Sequence, residues 1–136
     1  MSTPGEFCLD TNIAVAFLNG NPTVIEEVRL AQRIALPLPV VGELLYGAKK
    51  SGLKESNLLR FREFIRACDC IEPSTQAAET YSDFKLHLKK AGTPIPENDI
   101  WIAAISDVAG LTLVTDDKHF KHLPNLQMEN WLRKDS

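Results

Sequence analysis

The chain has 136 residues and a formal net charge of −3, with 44% hydrophobic and 24% charged residues. This length suits a single domain over residues 1–136, and the hydrophobic share is large enough for a core, which excludes a disordered chain. The slight negative charge argues mildly against a nucleic-acid partner, although lysine and histidine cluster around 49–54, 85–90 and 118–122.

Apolar runs alternate with longer helical segments along the chain, which predicts an α/β fold. In chain order, the expected strands cover 6–9, 34–36, 69–72, 111–114 and 126–128. The expected helices are 11–18, one that begins at 22, 40–50, 54–67, 74–91 and 96–109. Because strands separated by helices pair in parallel through right-handed crossovers, we expect a parallel sheet with helices on both faces.

The sequence also predicts a cellular location. Each apolar run ends well before the roughly 18 residues of a membrane span, and the first six residues do not resemble a secretory signal. The three cysteines, Cys8, Cys68 and Cys70, are an odd number that suits neither a disulfide framework nor a zinc site. We therefore expect a cytoplasmic protein with free thiols and no membrane association.

Two acidic positions follow predicted strands. Asp10 comes directly after the first strand, and Asp116 and Asp117 follow the 111–114 strand with Thr115 between. Open parallel sheets bind ligands outside the carboxyl ends of their strands. If these two strands are neighbours, about 4.8 Å apart, Asp10 and Asp117 can share one metal ion.

Two further acids lie on helix faces that are expected to point inward. Asp99 is in the first turn of its helix and shares a face with Ile102 and Ala103. Glu43 lies four residues before Gly47, a mid-helix glycine that costs about 1 kcal/mol relative to alanine. Gly47 would leave room beside Glu43 for the close approach of a backbone or a ligand.

Each acid also has a purely structural interpretation. Asp10 and Asp117 could cap a helix and a turn, Asp99 could complement a helix dipole, and Glu43 could face solvent. Gathered together, however, four carboxylates would repel one another and lose hydration, and a hard divalent cation relieves both effects. Oxygen ligands of this kind favour Mg²⁺ or Mn²⁺ over zinc.

Four motifs in order along the chain carry a family resemblance: FCLDTN at 7–12, VGELLYGA at 41–48, NDIWIAA at 98–104 and LVTDDKHF at 113–120. The chain resembles the PIN-domain family, and most of all its VapC-type toxins. The resemblance implies a three-layer sandwich around a parallel sheet of about five strands, and endoribonuclease activity dependent on Mg²⁺ or Mn²⁺. The family's metal-site acids map onto Asp10, Glu43, Asp99 and Asp117, with Thr115 as a supporting hydroxyl. The adjacent Asp116 leaves the identity of the fourth acid open.

The resemblance also implies partners. The RNA substrate would be cut to a 5′-phosphate and a 3′-hydroxyl, and a transfer RNA is the commonest kind of target in the family. A VapB-like antitoxin would hold the toxin inactive, with an apolar helix in a groove and an arginine in the acid pocket. The helices around Leu44, Leu45 and 61–65 could line that groove, or could simply pack in the core. A homodimer is expected as well.

Two other functions stay open at this point. An aspartyl phosphotransferase or phosphatase could use Asp10 as its nucleophile, although Asp10-Thr11-Asn12 lacks the second acid of an Asp-x-Asp arrangement. A non-catalytic RNA-binding module is the other alternative. His119 and His122 could serve a route through the ribose 2′-hydroxyl, but we expect them at the solvent or at the core edge. Trp101 and Trp131 are expected to anchor the core.

Overall fold

A computed structural model describes residues 5–132 of the chain. Its five strands are β1 (Glu6–Leu9), β2 (Arg33–Pro37), β3 (Asp69–Ile71), β4 (Thr112–Val114) and β5 (Met128–Glu129). Its α-helices are α1 (Thr11–Leu18), α2 (Pro22–Leu30), α3 (Leu38–Lys50), α4 (Lys54–Ala67), α5 (Thr75–Ala91) and α6 (Glu97–Val108). A short 3₁₀ helix spans Lys118–His122. None of the helices between residues 5 and 132 is long and apolar enough to cross a membrane.

The five strands form one sheet in the order β3-β2-β1-β4-β5, and every pair is parallel. The chain first moves outward from β1 to β3 and then returns to the other side of β1. With right-handed crossovers, this reversal puts α1–α4 on one face and α5–α6 on the other. The predicted three-layer α/β sandwich is confirmed. The reversal also creates a topological switch point between β1 and β4, which is where parallel sheets bind ligands.

Local signals in the sequence fix several helix ends. The side chain of Asn21 accepts a hydrogen bond from the amide of Val24 (3.0 Å) and caps α2, whose first residue is a proline. Ser74 caps α5 through the amide of Ala77 (3.1 Å). Gly92 ends α5 with φ +71°, a left-handed conformation that favours glycine.

The core lies on both sides of the central strands and is densest under α6. All three residues of β4 are buried, as is the α6 segment 102–106. Trp131 is 1% exposed and meets Phe7 of β1 edge-on, with ring centroids 5.0 Å apart, so its predicted role as a core anchor is confirmed. Trp101 is only half-buried and stacks on Tyr81, with centroids 4.3 Å apart.

Two predicted elements begin two residues away from their observed starts, and several other predicted boundaries differ by one residue. Helix α3 begins at Leu38 rather than at residue 40, with Pro39 in its first turn, where a missing N–H breaks no helical hydrogen bond. Strand β5 covers Met128–Glu129 rather than 126–128. Its register is set by hydrogen bonds from the Leu113 amide to the Gln127 carbonyl (2.9 Å) and from the Thr115 amide to the Glu129 carbonyl (3.0 Å).

Candidate active site

Asp10 lies at the switch point, where β1 ends beside β4. Its backbone amide donates to the carbonyl of Val114 (2.9 Å), so the residue continues the β1–β4 pairing by one step. Oδ1 accepts a hydrogen bond from the Thr11 amide (2.8 Å), and Oδ2 accepts one from the Thr115 hydroxyl (2.7 Å). Asp10 therefore caps α1, as its structural interpretation predicted, and also faces the end of β4.

Asp10 is 4% exposed, and none of the salt bridges among residues 5–132 involves its carboxyl group. Burial raises its pKa to about 6, and the hydrogen bonds from Thr115 and Thr11 only partly oppose that rise. The negative charges of Asp99 and Glu43 raise the pKa further. A buried acid surrounded by other acids is a common feature of functional sites and is relieved by a cation.

Glu43 of α3 is held next to Asp10 by two neighbours. The Thr11 hydroxyl donates a short hydrogen bond to Oε1, and the amide of Asn98 donates to Oε2 at 3.3 Å. Glu43 is half-buried rather than solvated, and it links α1, α3 and α6 at the carboxyl edge of the sheet. A Cβ added to Gly47 would meet no atom within 4 Å among the described residues, so no backbone makes the predicted close approach there.

Asp99, Asp117 and His119 form the second half of the pocket. The His119 ring atom Nδ1 lies 3.1 Å from Asp99 Oδ2 and 3.0 Å from Asp117 Oδ1. One ligand atom from each of the three residues falls within 4.8 Å of the others. Burial raises the pKa of Asp99, as do the charges of Asp117 and Glu43, while the hydrogen bond from His119 lowers it.

Asp117 and Asp116 point to different neighbours. Asp117 caps the 3₁₀ helix by accepting from the His119 amide (2.9 Å), and it lies beside Asp99. Asp116 instead accepts from the side-chain amide of Asn130 (2.8 Å). The Thr115 hydroxyl connects the two halves, because it donates to Asp10 and accepts from the Asp117 amide (3.0 Å).

The pocket contains three side chains that the sequence did not assign to it. His119 was expected at the solvent or at the core edge, and it is exposed as expected, but its ring also contacts the carboxylates of Asp99 and Asp117, which was not predicted. Thr11 directly follows Asp10, Asn98 directly precedes Asp99, and both donate a hydrogen bond to Glu43. Adjacency to Asp10 and Asp99 was the available signal for both.

The donor set suits a hard divalent cation. Its several carboxylate oxygens are ligands for Mg²⁺ or Mn²⁺, and it also offers one imidazole nitrogen. Within residues 5–132, no lysine or arginine forms a salt bridge with Asp10, Glu43, Asp99 or Asp117. Among the ion pairs of residues 5–132, His119 is the only basic side chain that contacts Asp99 and Asp117, and a bound cation would supply positive charge to the pocket.

Comparisons with known proteins agree with this architecture. The family model of the PIN domain matches residues 7–126. Ribonuclease VapC2 of Rickettsia felis is 35% identical over 130 residues, which cover 92% of this chain and 97% of the relative. The tRNA(fMet)-specific endonuclease VapC of Salmonella typhimurium is 32% identical over 129 residues, covering 93% of this chain and 98% of that protein. A crystal structure of VapBC2 from Rickettsia felis bound to a promoter DNA fragment has 34% identity and a TM-score of 0.86, and covers 92% of this chain and 98% of that chain. The chain therefore belongs to the PIN domain family.

Proposed function

We propose that this chain is a single-domain, divalent-metal-dependent endoribonuclease that acts as the toxin of a type II toxin–antitoxin pair. The observation that carries the proposal is the cluster of acids around the buried Asp10 at the β1–β4 switch point. Two relatives also support the proposal: they are named ribonuclease VapC2 and tRNA(fMet)-specific endonuclease VapC, and they are 35% and 32% identical over nearly the whole chain.

Asp10, Asp99 and Asp117 are the residues we propose to hold Mg²⁺ or Mn²⁺, with Glu43 at the edge of the same site. Bound there, the cation supplies a Lewis acid that neutralises charge on the scissile phosphate and acidifies a water molecule. The Thr115 hydroxyl holds the Asp10 carboxylate in one orientation through its 2.7 Å hydrogen bond.

Glu43 is the acid that we propose to orient the attacking water and take its proton. Both of its oxygens are oriented by hydrogen bonds from Thr11 and Asn98, and a carboxylate within reach of an attacking water can act as its general base. The water oxygen would form a bond to phosphorus as the bond to the 3′-oxygen breaks. This hydrolysis leaves a 5′-phosphate and a 3′-hydroxyl without using the ribose 2′-hydroxyl.

Cleavage of RNA by the purified chain tests the proposal. We expect cleavage with Mg²⁺ or Mn²⁺, none in EDTA, and a loss of at least about a hundredfold in Asp10→Asn and in Asp99→Asn, because each removes a ligand charge. Asp107→Asn is the matched control, since Asp107 is an exposed aspartate on the same helix as Asp99. Undiminished activity in EDTA would contradict the mechanism. Covalent labelling of Asp10 by phosphate would favour the phosphotransferase alternative.

We propose a transfer RNA or another structured RNA as the substrate. The support is the relative named a tRNA(fMet)-specific endonuclease, at 32% identity. Incubation of a total transfer-RNA pool and of an unstructured RNA of equal length tests this, with the 5′ ends of the products mapped by sequencing. Equal rates on both substrates would contradict the choice of a structured target.

We also propose a VapB-like antitoxin and a homodimer. Support for the antitoxin comes from the similar VapBC2 structure. Leu45 and Ile65 are half-buried and border an open surface pocket of about 230 Å³ together with Arg62 and Arg66. Leu44 and Phe64, by contrast, are core residues at 1% and 8% exposure. Leu45→Glu should therefore weaken the antitoxin complex while leaving RNA cleavage by the free chain intact, and light scattering reports whether the free chain is dimeric.

The cytoplasm is the location we propose, because RNA and a reducing environment occur together there. Cys8, Cys68 and Cys70 are all free thiols in the structure, which is compatible with that compartment.

A further inference from the structure

An imidazole nitrogen lies between two carboxylates of the acid pocket. His119 Nδ1 is 3.1 Å from Asp99 Oδ2 and 3.0 Å from Asp117 Oδ1, and the three ligand atoms fall within 4.8 Å of one another. Neighbouring ligands of an octahedral ion with bonds of about 2.1 Å lie about 3 Å apart. Both distances lie in the hydrogen-bond range, and they also match the spacing between neighbouring ligands of one ion.

The ring is held in this position by the fold around it. The His119 amide donates to Asp117 Oδ1 (2.9 Å), so the backbone and the ring of His119 both contact the same carboxylate oxygen. The next residue, Phe120, is fully buried, and Leu123 is 5% exposed, which anchors the 3₁₀ helix on the core. His119 itself is about half-exposed, so the ring can respond to a bound ion without moving the core.

We infer that His119 is a nitrogen ligand of the active-site metal and that it shifts the preference of the site from Mg²⁺ towards Mn²⁺. The inference rests on the metal dependence proposed above. Mg²⁺ strongly prefers oxygen ligands, whereas imidazole is a good ligand for transition metals. Four carboxylates alone would give an all-oxygen site, and the added nitrogen strengthens Mn²⁺ binding more than Mg²⁺ binding.

The matched variants are His119→Gln and His122→Gln. His122 is exposed and lies three residues later on the same 3₁₀ helix, so its replacement removes an imidazole without reaching the two acids. The whole chain, stripped of metal with EDTA and free of RNA, is loaded with Mn²⁺ and studied by electron paramagnetic resonance. Pulsed measurements detect nitrogen bound to Mn²⁺, and replacing natural histidine with ¹⁵N-histidine assigns that nitrogen to a histidine ring.

We expect a histidine nitrogen signal in the natural chain and in His122→Gln, and its loss in His119→Gln. The Kd for Mn²⁺ should rise at least about tenfold in His119→Gln, with a much smaller change in the Kd for Mg²⁺ measured by calorimetry. The spectrum of the natural chain decides the question even if His119→Gln does not fold.

Three results would overturn the inference. Mn²⁺ bound without a histidine nitrogen signal would refute it while leaving the metal-dependent nuclease intact. Tighter binding of both metals by His119→Gln would mean that His119 competes with the ion as a built-in positive charge. The absence of any Mn²⁺ or Mg²⁺ binding to the natural chain would remove the proposed cofactor and this inference together.

Discussion

Replacing Asp10 with asparagine should remove a pH-dependent loss of stability along with the activity. The carboxyl group of Asp10 is 4% exposed, and burial raises its pKa to about 6 from an ordinary value of 3.8. A raised pKa means that the folded chain holds this proton more tightly than the unfolded chain does. The stabilisation is present below about pH 4 and is lost as the pH rises through about 6.

The size of the effect follows from the shift. About two pKa units at 1.36 kcal/mol each correspond to about 2–3 kcal/mol of unfolding free energy. The groups that face Asp10 are Asp99 and Glu43, and both charges act in the same direction as burial. Asparagine is close in shape to aspartate and does not ionise. The unfolding free energy of the natural chain minus that of Asp10→Asn should therefore fall by about 2–3 kcal/mol between about pH 4 and about pH 7.5.

Urea unfolding in EDTA, followed by tryptophan fluorescence at several pH values, measures this difference. Asp107→Asn changes an exposed aspartate, so its unfolding free energy should vary with pH in the same way as that of the natural chain. Saturating Mg²⁺ at neutral pH should stabilise the natural chain and leave Asp10→Asn nearly unchanged, because a ligand stabilises only the state that binds it. A difference between the natural chain and Asp10→Asn that is constant across the pH range would refute the reasoning, because Asp10 would then ionise as an ordinary exposed acid.

Three further outcomes follow from the structure. Thr115→Val should lower the unfolding free energy by about 1–3 kcal/mol in urea. It leaves Asp10 Oδ2 with only the long 3.4 Å hydrogen bond from Asn12, and it removes the acceptor of the Asp117 amide. Thr115→Ser should retain most of the stability. Gly47→Ala should raise the unfolding free energy by about 1 kcal/mol, because alanine favours a helix interior more than glycine does and its Cβ would meet no described atom within 4 Å. A lower unfolding free energy would mean that the fold needs the glycine. Burial raises the pKa of the Cys8 thiol to about 12, so a thiol reagent should label the exposed Cys70 in the native chain and reach Cys8 only after unfolding. Rapid labelling of a variant in which both Cys68 and Cys70 are replaced by serine would contradict this.

The sheet and two of the acids could be predicted because their signals are local. Short apolar runs between longer helical ones gave a parallel sheet, and the rule that ligands bind at strand carboxyl ends picked out Asp10 and the residues after β4. The stop at Gly92 and the cap at Ser74 likewise depend on residues within one or two turns of each other. Such features depend on residues that are close together in the chain, so they can be predicted from one sequence.

The arrangement inside the pocket could not be predicted in the same way. The contact between His119 and Asp99 joins residues 20 positions apart, and it depends on a 3₁₀ helix whose short turn has no apolar periodicity to detect. The hydrogen bond between Thr11 and Glu43 joins residues 32 positions apart and depends on how α3 packs against α1. The start of α3 at Leu38 was missed because a proline in a first turn and a proline that ends a strand look alike in sequence.

The hydrogen bonds around Asp10 join the two ends of the described chain. Asp10 pairs with Val114, Thr115 pairs with Glu129, and Phe7 packs on Trp131. The ribosome makes β1 long before β4 and β5, and parallel strands so far apart in sequence pair slowly. A growing polypeptide therefore has Asp10 without Val114 and Thr115 until β4 and the residue after it have been made. The acid pocket can be complete only once the segment from β4 to the 3₁₀ helix has left the ribosome.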